Sequence, residues 1–236
     1  MKRFWATATA EPDEGGWSVK LDGKPMRLPG GQTLRIATRP LAEALAAEWA
    51  AAGDGPGGTM DYTHVPLTRL AGTAQERVAA VADGVVAELA RYGENDLLCY
   101  RALEPPDLVA AEAAAWDPWI DWAATTYGAR MTVVQGVVAV RQPDAAVDAL
   151  TSAVAAVDVN TLAGLGVIVP ALGSLVLGLA VAAGAITAAD AHATSIVDEL
   201  SQAALWGEDD EAVAARRSAE RDVADAARFI ELARAR

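Results

Sequence analysis

Lysine stops at Lys24. The 212 residues that follow contain none, and the whole chain of 236 holds only two histidines and one cysteine. The single Cys99 excludes an intrachain disulfide framework and fits a reducing compartment. His64 and His192 are too far apart in sequence to suggest a histidine-based metal site. No GxxxxGK(S/T), GxGxxG, HExxH, GxSxG or CxxC motif occurs, so phosphate-loop and common hydrolase chemistries have no sequence support. The opening MKRFWATATA has no apolar core of the secretory-signal kind. Cations are scarce mainly in one part of the chain. Residues 1–70 carry eight Lys/Arg and eight Asp/Glu, whereas residues 71–236 carry eleven and twenty-four, giving the net charge of −13. Such a surface repels nucleic acid and anionic lipid, which need Lys/Arg against their phosphates. It serves solubility, or offers an acidic face to a partner.

Charge of either sign is missing between Asp158 and Asp190, a run that includes GLGVIVPALGSLVLGLAVAAG. Its length would suffice for a bilayer, which needs roughly 20 apolar residues. Pro170, five glycines, acidic flanks and the lack of nearby Lys/Arg argue instead for a buried core helix.

What is present reads as a small mixed unit followed by helices. Phe4–Ala10 and Trp17–Leu21 alternate as strands, Asp22-Gly23 marks a hairpin, and Lys24–Leu28 returns as an edge strand because of Pro25. The Pro29–Gly31 turn leads to Thr33–Ile36. Thr38 then caps a helix to about Ala52, with Pro40 in its first turn and Leu41, Leu45, Ala46 and Trp49 on one face. Residues 1–60 are thus expected to form an N-terminal α+β domain, with a small antiparallel sheet and one covering helix, closed by the GDGPGG loop at Gly53–Gly58. Residues 61–236 are expected to form a helical bundle. Its predicted helices are Leu67–Tyr92, Asn95–Ala102, Pro106–Tyr127 with a kink at Trp116–Asp117 ahead of Pro118, Pro143–Ala156, Pro170–Ala183, Ala188–Trp206 and Asp209–Ala235. The valine run Met131–Val140 fits either short strands or an extended loop.

Two motifs, DLLCYRA at Asp96–Ala102 and WDPWIDW at Trp116–Trp122, concentrate unusual side chains without a nucleophile–base pair. Cys99 reads as a buried small hydrophobe. Arg101 pairs with Asp96 or another carboxylate. Trp116, Trp119 and Trp122 sweep about 60° per step on a helix, forming a core seam or a recognition platform. Asp117 caps a turn at Pro118. Asp117 and Asp121 at i,i+4 suggest acid–base work or a solvated face. On Ala188–Trp206, Thr187 and Asp190 form a capping box. Ala189, Ala193, Ile196, Leu200 and Ala203 make an apolar stripe, flanked by His192, Ser195, Glu199, Gln202 and Trp206. His192 reads as a satisfied or solvated histidine. Glu199 sits at a boundary, either in an ion pair or as an anionic contact for a partner.

Taken in order, LDGKPMRLPG, LAEALAAEW, PLTRLAGTA, DLLCYRA, WDPWIDW, LGSLVLGLAV and DELSQAALWGED resemble the F1-ATPase assembly chaperone family, specifically the branch attending the ATP synthase α subunit. The resemblance runs over nearly the full length, with the alanine-rich composition and GDGPGG as departures. It implies an N-terminal α+β domain and a C-terminal orthogonal α-helical bundle. It also implies a non-enzymatic chaperone that binds unassembled F1 α subunit and shields its β-facing surface until the hexamer forms. No cofactor, nucleic acid, small-molecule substrate or membrane insertion is implied. The compartment is the bacterial cytoplasm, or the mitochondrial matrix in a eukaryote. The family's functional acid maps to Glu199, with Asp198 and Glu208 competing, and Trp206 beside them. Trp49, Cys99, Arg101, Trp116, Asp117 and Trp122 then take structural roles. A non-catalytic adaptor for a different protein is the alternative.

Overall fold

In the computed structural model, which describes residues 2–136 and 138–235, β1 (Ala8–Asp13) pairs antiparallel with β2 (Gly16–Leu21) from Ala8↔Leu21 to Asp13↔Gly16. On the other side of β2 lies the short β3 (Lys24–Pro25). The Asp22-Gly23 hairpin places both residues at positive φ, 49° and 77°, as a primed turn requires. The first strand starts later than the Phe4–Ala10 alternation suggests. Trp5 turns into the core instead, where its Nε1 donates to the Trp49 carbonyl at 2.9 Å.

The covering helix α1 (Arg39–Ala51) buries Leu41, Ala42, Leu45, Ala46 and Trp49. Thr38 occupies its N-cap, but the hydroxyl donates to the Leu232 carbonyl at 2.7 Å rather than capping the helix. At the other end, the buried Arg3 guanidinium donates to the Ala50 and Ala52 carbonyls at 2.8 and 2.9 Å. This places a cation where the helix dipole favours one. The Glu48 carboxylate accepts the Leu67 and Thr68 N–H groups, so α2 (Pro66–Glu76) starts on an anion.

The Leu67–Tyr92 pattern divides into α2, a 3-10 turn at Val78–Ala80 and α3 (Ala82–Glu94), and Val78 is buried at the break. Asn95–Ala102 is not a helix. Leu97–Cys99 make a 3-10 turn, and β4 (Tyr100–Arg101) runs parallel to β5 (Val134–Gln135) from the valine run. Val137 of that run lies outside the described residues. Next, α4 (Pro106–Tyr127) continues through Pro118 without stopping at Asp117, and α5 spans Asp144–Ala155.

The charge-free run is two helices, α6 (Val159–Leu172) and α7 (Leu175–Ala182), not one starting at Pro170. Gly173 at φ 63° ends the first, and the Ser174 hydroxyl caps the second by accepting the Leu177 N–H. All eight residues of α7 are buried. No helix among the described residues is long and apolar enough to cross a membrane. The chain closes with α8 (Ala188–Ser195), α9 (Val197–Trp206) and α10 (Asp210–Arg234). By contact it divides into Met1–Ala82 with Asp158–Gly164 and Arg228–Arg236, and Asp83–Val157 with Leu165–Ala227.

Candidate functional site

DLLCYRA and WDPWIDW meet in one polar joint of the second unit. Asp96 is fully buried and accepts the Leu98 N–H at 3.1 Å and, 80 residues away, the Val176 N–H at 3.0 Å. Burial pushes its carboxyl up to about 6, against the pull of Ser174 and the main-chain donors. Burial, aided by Asp96, also pushes the Cys99 thiol up to about 12, which makes it an inert hydrophobe. Arg101 pairs with Asp117 at 2.6 Å, not with Asp96. Its guanidinium also donates to the Leu98 carbonyl and lies 4.9 Å from the Trp116 ring centre.

Asp117 therefore lies inside α4 with its carboxylate on Arg101, not at a helix cap. Glu112, also buried, accepts the Ala102 N–H at 2.7 Å. Burial raises its carboxyl and nearby Asp198 adds to the rise, while the Ala102 N–H and Arg101 oppose it. Trp116 is buried and donates to the Thr194 carbonyl at 2.7 Å. Trp119 and Trp122 are half-buried and meet edge-to-face at 6.2 Å. Among the described residues, no group of His, Cys, Asp and Glu is arranged to hold a metal ion.

The expected Ala188–Trp206 helix is broken at Ile196, whose φ of −109° and ψ of 16° separate α8 from α9. The Thr187 hydroxyl caps α8 through the Asp190 N–H. Ala191, His192 and Ser195 are buried there, whereas Ala193 is exposed. His192 is buried, and its Nε2 has no hydrogen-bond partner among the described residues, so that nitrogen is neither satisfied nor solvated.

The break undoes the predicted stripes, because α9 has no buried residue at all. Leu200, Leu205 and Trp206 are exposed at 46%, 63% and 79%. Glu199 is exposed rather than shielded at a boundary, and Asp198 is half-buried. Gly207 ends α9 at φ 93°, ψ 160°, a region nearly restricted to glycine. Glu208 follows and pairs with Arg216 at 3.1 Å. An unburied helix with large apolar and acidic side chains, and no catalytic group, is suited to holding another protein.

The family model described as ATP12 chaperone protein matches residues 2–124. Over 99% of this chain and 98% of the other, Atp12 from Paracoccus denitrificans is 45% identical with a TM-score of 0.92. The chain belongs to the ATP12 chaperone family. An aspartate-to-lysine mutant of P. denitrificans Atp12p matches with the same identity, coverage and TM-score. A candidate chaperone from Agrobacterium tumefaciens is 35% identical, with a TM-score of 0.89 over 98% of this chain and 85% of that one. As an ATP12 family member the chain is a non-catalytic chaperone of ATP synthase assembly with a protein partner in the F1 sector.

Sequence reasoning missed two residues of the polar joint. It weighed Asp96 only as a partner for Arg101, and it did not single out Glu112. An Asx residue ahead of a turn was the one local signal for Asp96.

Proposed function

We propose that this ATP12 family member binds unassembled F1 α subunit and covers the surface that later meets the β subunit. The observation that carries this reading is α9, where Leu200, Leu205 and Trp206 stand in solvent among Asp198, Glu199 and Glu208. A free α subunit has to keep an assembly interface out of water until its partner arrives. Apolar area on α9 supplies affinity for such a surface, and the carboxylates supply on-rate and register against its basic groups. Release follows when β competes for the same surface, which requires only moderate chaperone affinity. Glu199 is the principal anionic contact, Asp198 and Glu208 flank it, and Trp206 is the apolar anchor. The chaperone works where F1 subunits are made, the cytoplasm in a bacterium.

Glu199→Lys should leave the thermal melt unchanged, because the side chain is exposed, yet abolish protection of isolated α subunit from aggregation. Trp206→Ala should weaken binding to α by roughly thirtyfold, an effect of about 2 kcal/mol for a hot-spot aromatic. Full protection by a folded Glu199→Lys protein would remove that residue from the site.

A further inference from the structure

Residues 32–36 run extended beside the first unit's sheet, joined to it by antiparallel bridges at Arg27↔Thr33 and Trp17↔Ile36. Leu34 and Ile36 direct their N–H groups inward, to the Met26 carbonyl at 3.2 Å and the Trp17 carbonyl at 2.9 Å. The Gln32 carbonyl accepts the Leu28 N–H on that side. By strand alternation, the Thr33 carbonyl and Arg35 N–H face outward, and one side chain meets both. Gln75 Nε2 donates to the Thr33 carbonyl at 3.0 Å, and Gln75 Oε1 accepts the Arg35 N–H at 2.9 Å. A carbonyl at i and an N–H at i+2 are the pair engaged by a single residue of an added parallel strand. The Gln75 carboxamide has one donor and one acceptor in the same relation, so it stands in for a peptide group. One step along, Glu76 Oε1 accepts the Gly30 N–H at 2.9 Å.

Beside this edge lies a cleft of about 630 Å³ lined by Thr33, Arg35, Ile36, Leu41, Ala71 and Val159. Its walls combine apolar contact from Ile36, Leu41, Ala71 and Val159 with the polar side chains of Gln32, Gln75 and Asn160. Arg35 is exposed and makes no ion pair among the described residues.

We propose that this edge is a strand-capture site. An extended apolar segment of the client, carrying a carboxylate opposite Arg35, displaces the Gln75 carboxamide and pairs with the Thr33 carbonyl and Arg35 N–H. Peptide is the occupant because the groups on offer are already satisfied by a peptide mimic, and main-chain pairing at an edge is an established mode of recognition. The exchange replaces two hydrogen bonds by two others, so affinity comes from the cleft walls and stays moderate. When the client leaves, Gln75 closes the edge again and prevents pairing with stray strands. Only the client's identity rests on the α-subunit reading.

The test titrates the full chain with fluorescent overlapping peptides spanning the F1 α subunit, followed by anisotropy. Gln75→Ala removes the internal competitor and should tighten the binding peptide about fivefold, since two net hydrogen bonds no longer oppose it. Arg35→Pro deletes the outward N–H at an edge position where proline is tolerated, and should weaken binding at least fivefold. N-methylation of the peptide amide that meets the Thr33 carbonyl should do the same with unaltered protein, which separates lost pairing from misfolding. No binding by any peptide, or equal affinity for Gln75→Ala and parent, overturns the proposal. Self-association of Gln75→Ala without tighter peptide binding also overturns it, and leaves Gln75 as a seal only. Failure of the α9 surface shows elsewhere: Glu199→Lys would keep protecting α subunit whatever the peptides do.

Discussion

Trp49 joins the two halves of the first unit's core. Its Nε1 donates to Thr68 Oγ1 at 2.9 Å, its carbonyl accepts from Trp5, and the two indoles meet edge-to-face at 4.8 Å. Trp49→Arg places a second guanidinium in a region where Arg3 already caps the helix end, and the Glu48 carboxylate beside Thr68 is already engaged by the Leu67 and Thr68 N–H groups and the Thr68 hydroxyl. The cost exceeds about 4 kcal/mol, from the lost aromatic and the buried charge. Loss of a cooperative thermal melt is the expected result, and a sharp transition at the parental temperature would refute it.

Asp96 makes a subtler prediction. Its carboxyl titrates near 6 when folded, above the ordinary 3.8. Between those values the folded state holds more protons than the unfolded, so this group's contribution falls as pH rises through the window. Asp96→Asn keeps an acceptor and removes the charge. From pH 7 down to pH 4 the parent should therefore gain stability relative to Asp96→Asn, by on the order of 2 kcal/mol. Denaturant midpoints across that range measure it, and a constant difference would mean the carboxylate is not desolvated. Trp49 was legible from helical spacing because one local period puts it on the buried face of α1 with Leu41, Leu45 and Ala46. The role of Asp96 was not, because the Val176 N–H that defines it comes from a distant helix.

At the scale of elements, glycine in the charge-free run decides where helices approach each other. Gly178 lies inside α7, where a Cβ would fall 2.5 Å from Val169 Cγ2 of α6. Gly166 lies inside α6 with nothing within 4 Å of the same position. Helix propensity alone favours alanine at both sites by about 1 kcal/mol. Packing reverses the sign at one of them. Gly166→Ala should stabilise by about 0.5–1 kcal/mol, and Gly178→Ala should destabilise by about 1–3 kcal/mol through overpacking. Urea titrations of both variants check the pair, and matching signs would show that α6 and α7 are less closely seated.

Element boundaries are readable where the break is written in the residues themselves. Asp22-Gly23 and Gly207 carry backbone chemistry in their own residues. Ile196 breaks α8 from α9 without glycine or proline, so the periodicity ran straight through it and placed Glu199 beside a buried stripe that does not exist. At Pro118 the expected span Pro106–Tyr127 is the span found. The surrounding side-chain contacts of α4, with Trp116 on Thr194 and Asp117 on Arg101, carry the helix past a residue that usually ends one.

For the whole molecule, charge is the property that sequence states outright. The excess of acids lies entirely in residues 71–236, the part that includes α9. Long-range attraction of this kind acts on encounter, while apolar contact acts on dissociation. Capture of α subunit should therefore slow about tenfold in association rate between low salt and roughly 0.5 M salt, with dissociation changed far less. Glu199→Lys reverses the charge at the proposed contact, so it should reduce the association rate at low salt and also flatten its salt dependence. Stopped-flow association at several ionic strengths separates the two contributions. A rate indifferent to salt would assign capture to Leu200, Leu205 and Trp206 alone, and would leave the acidic surface with solubility as its only task.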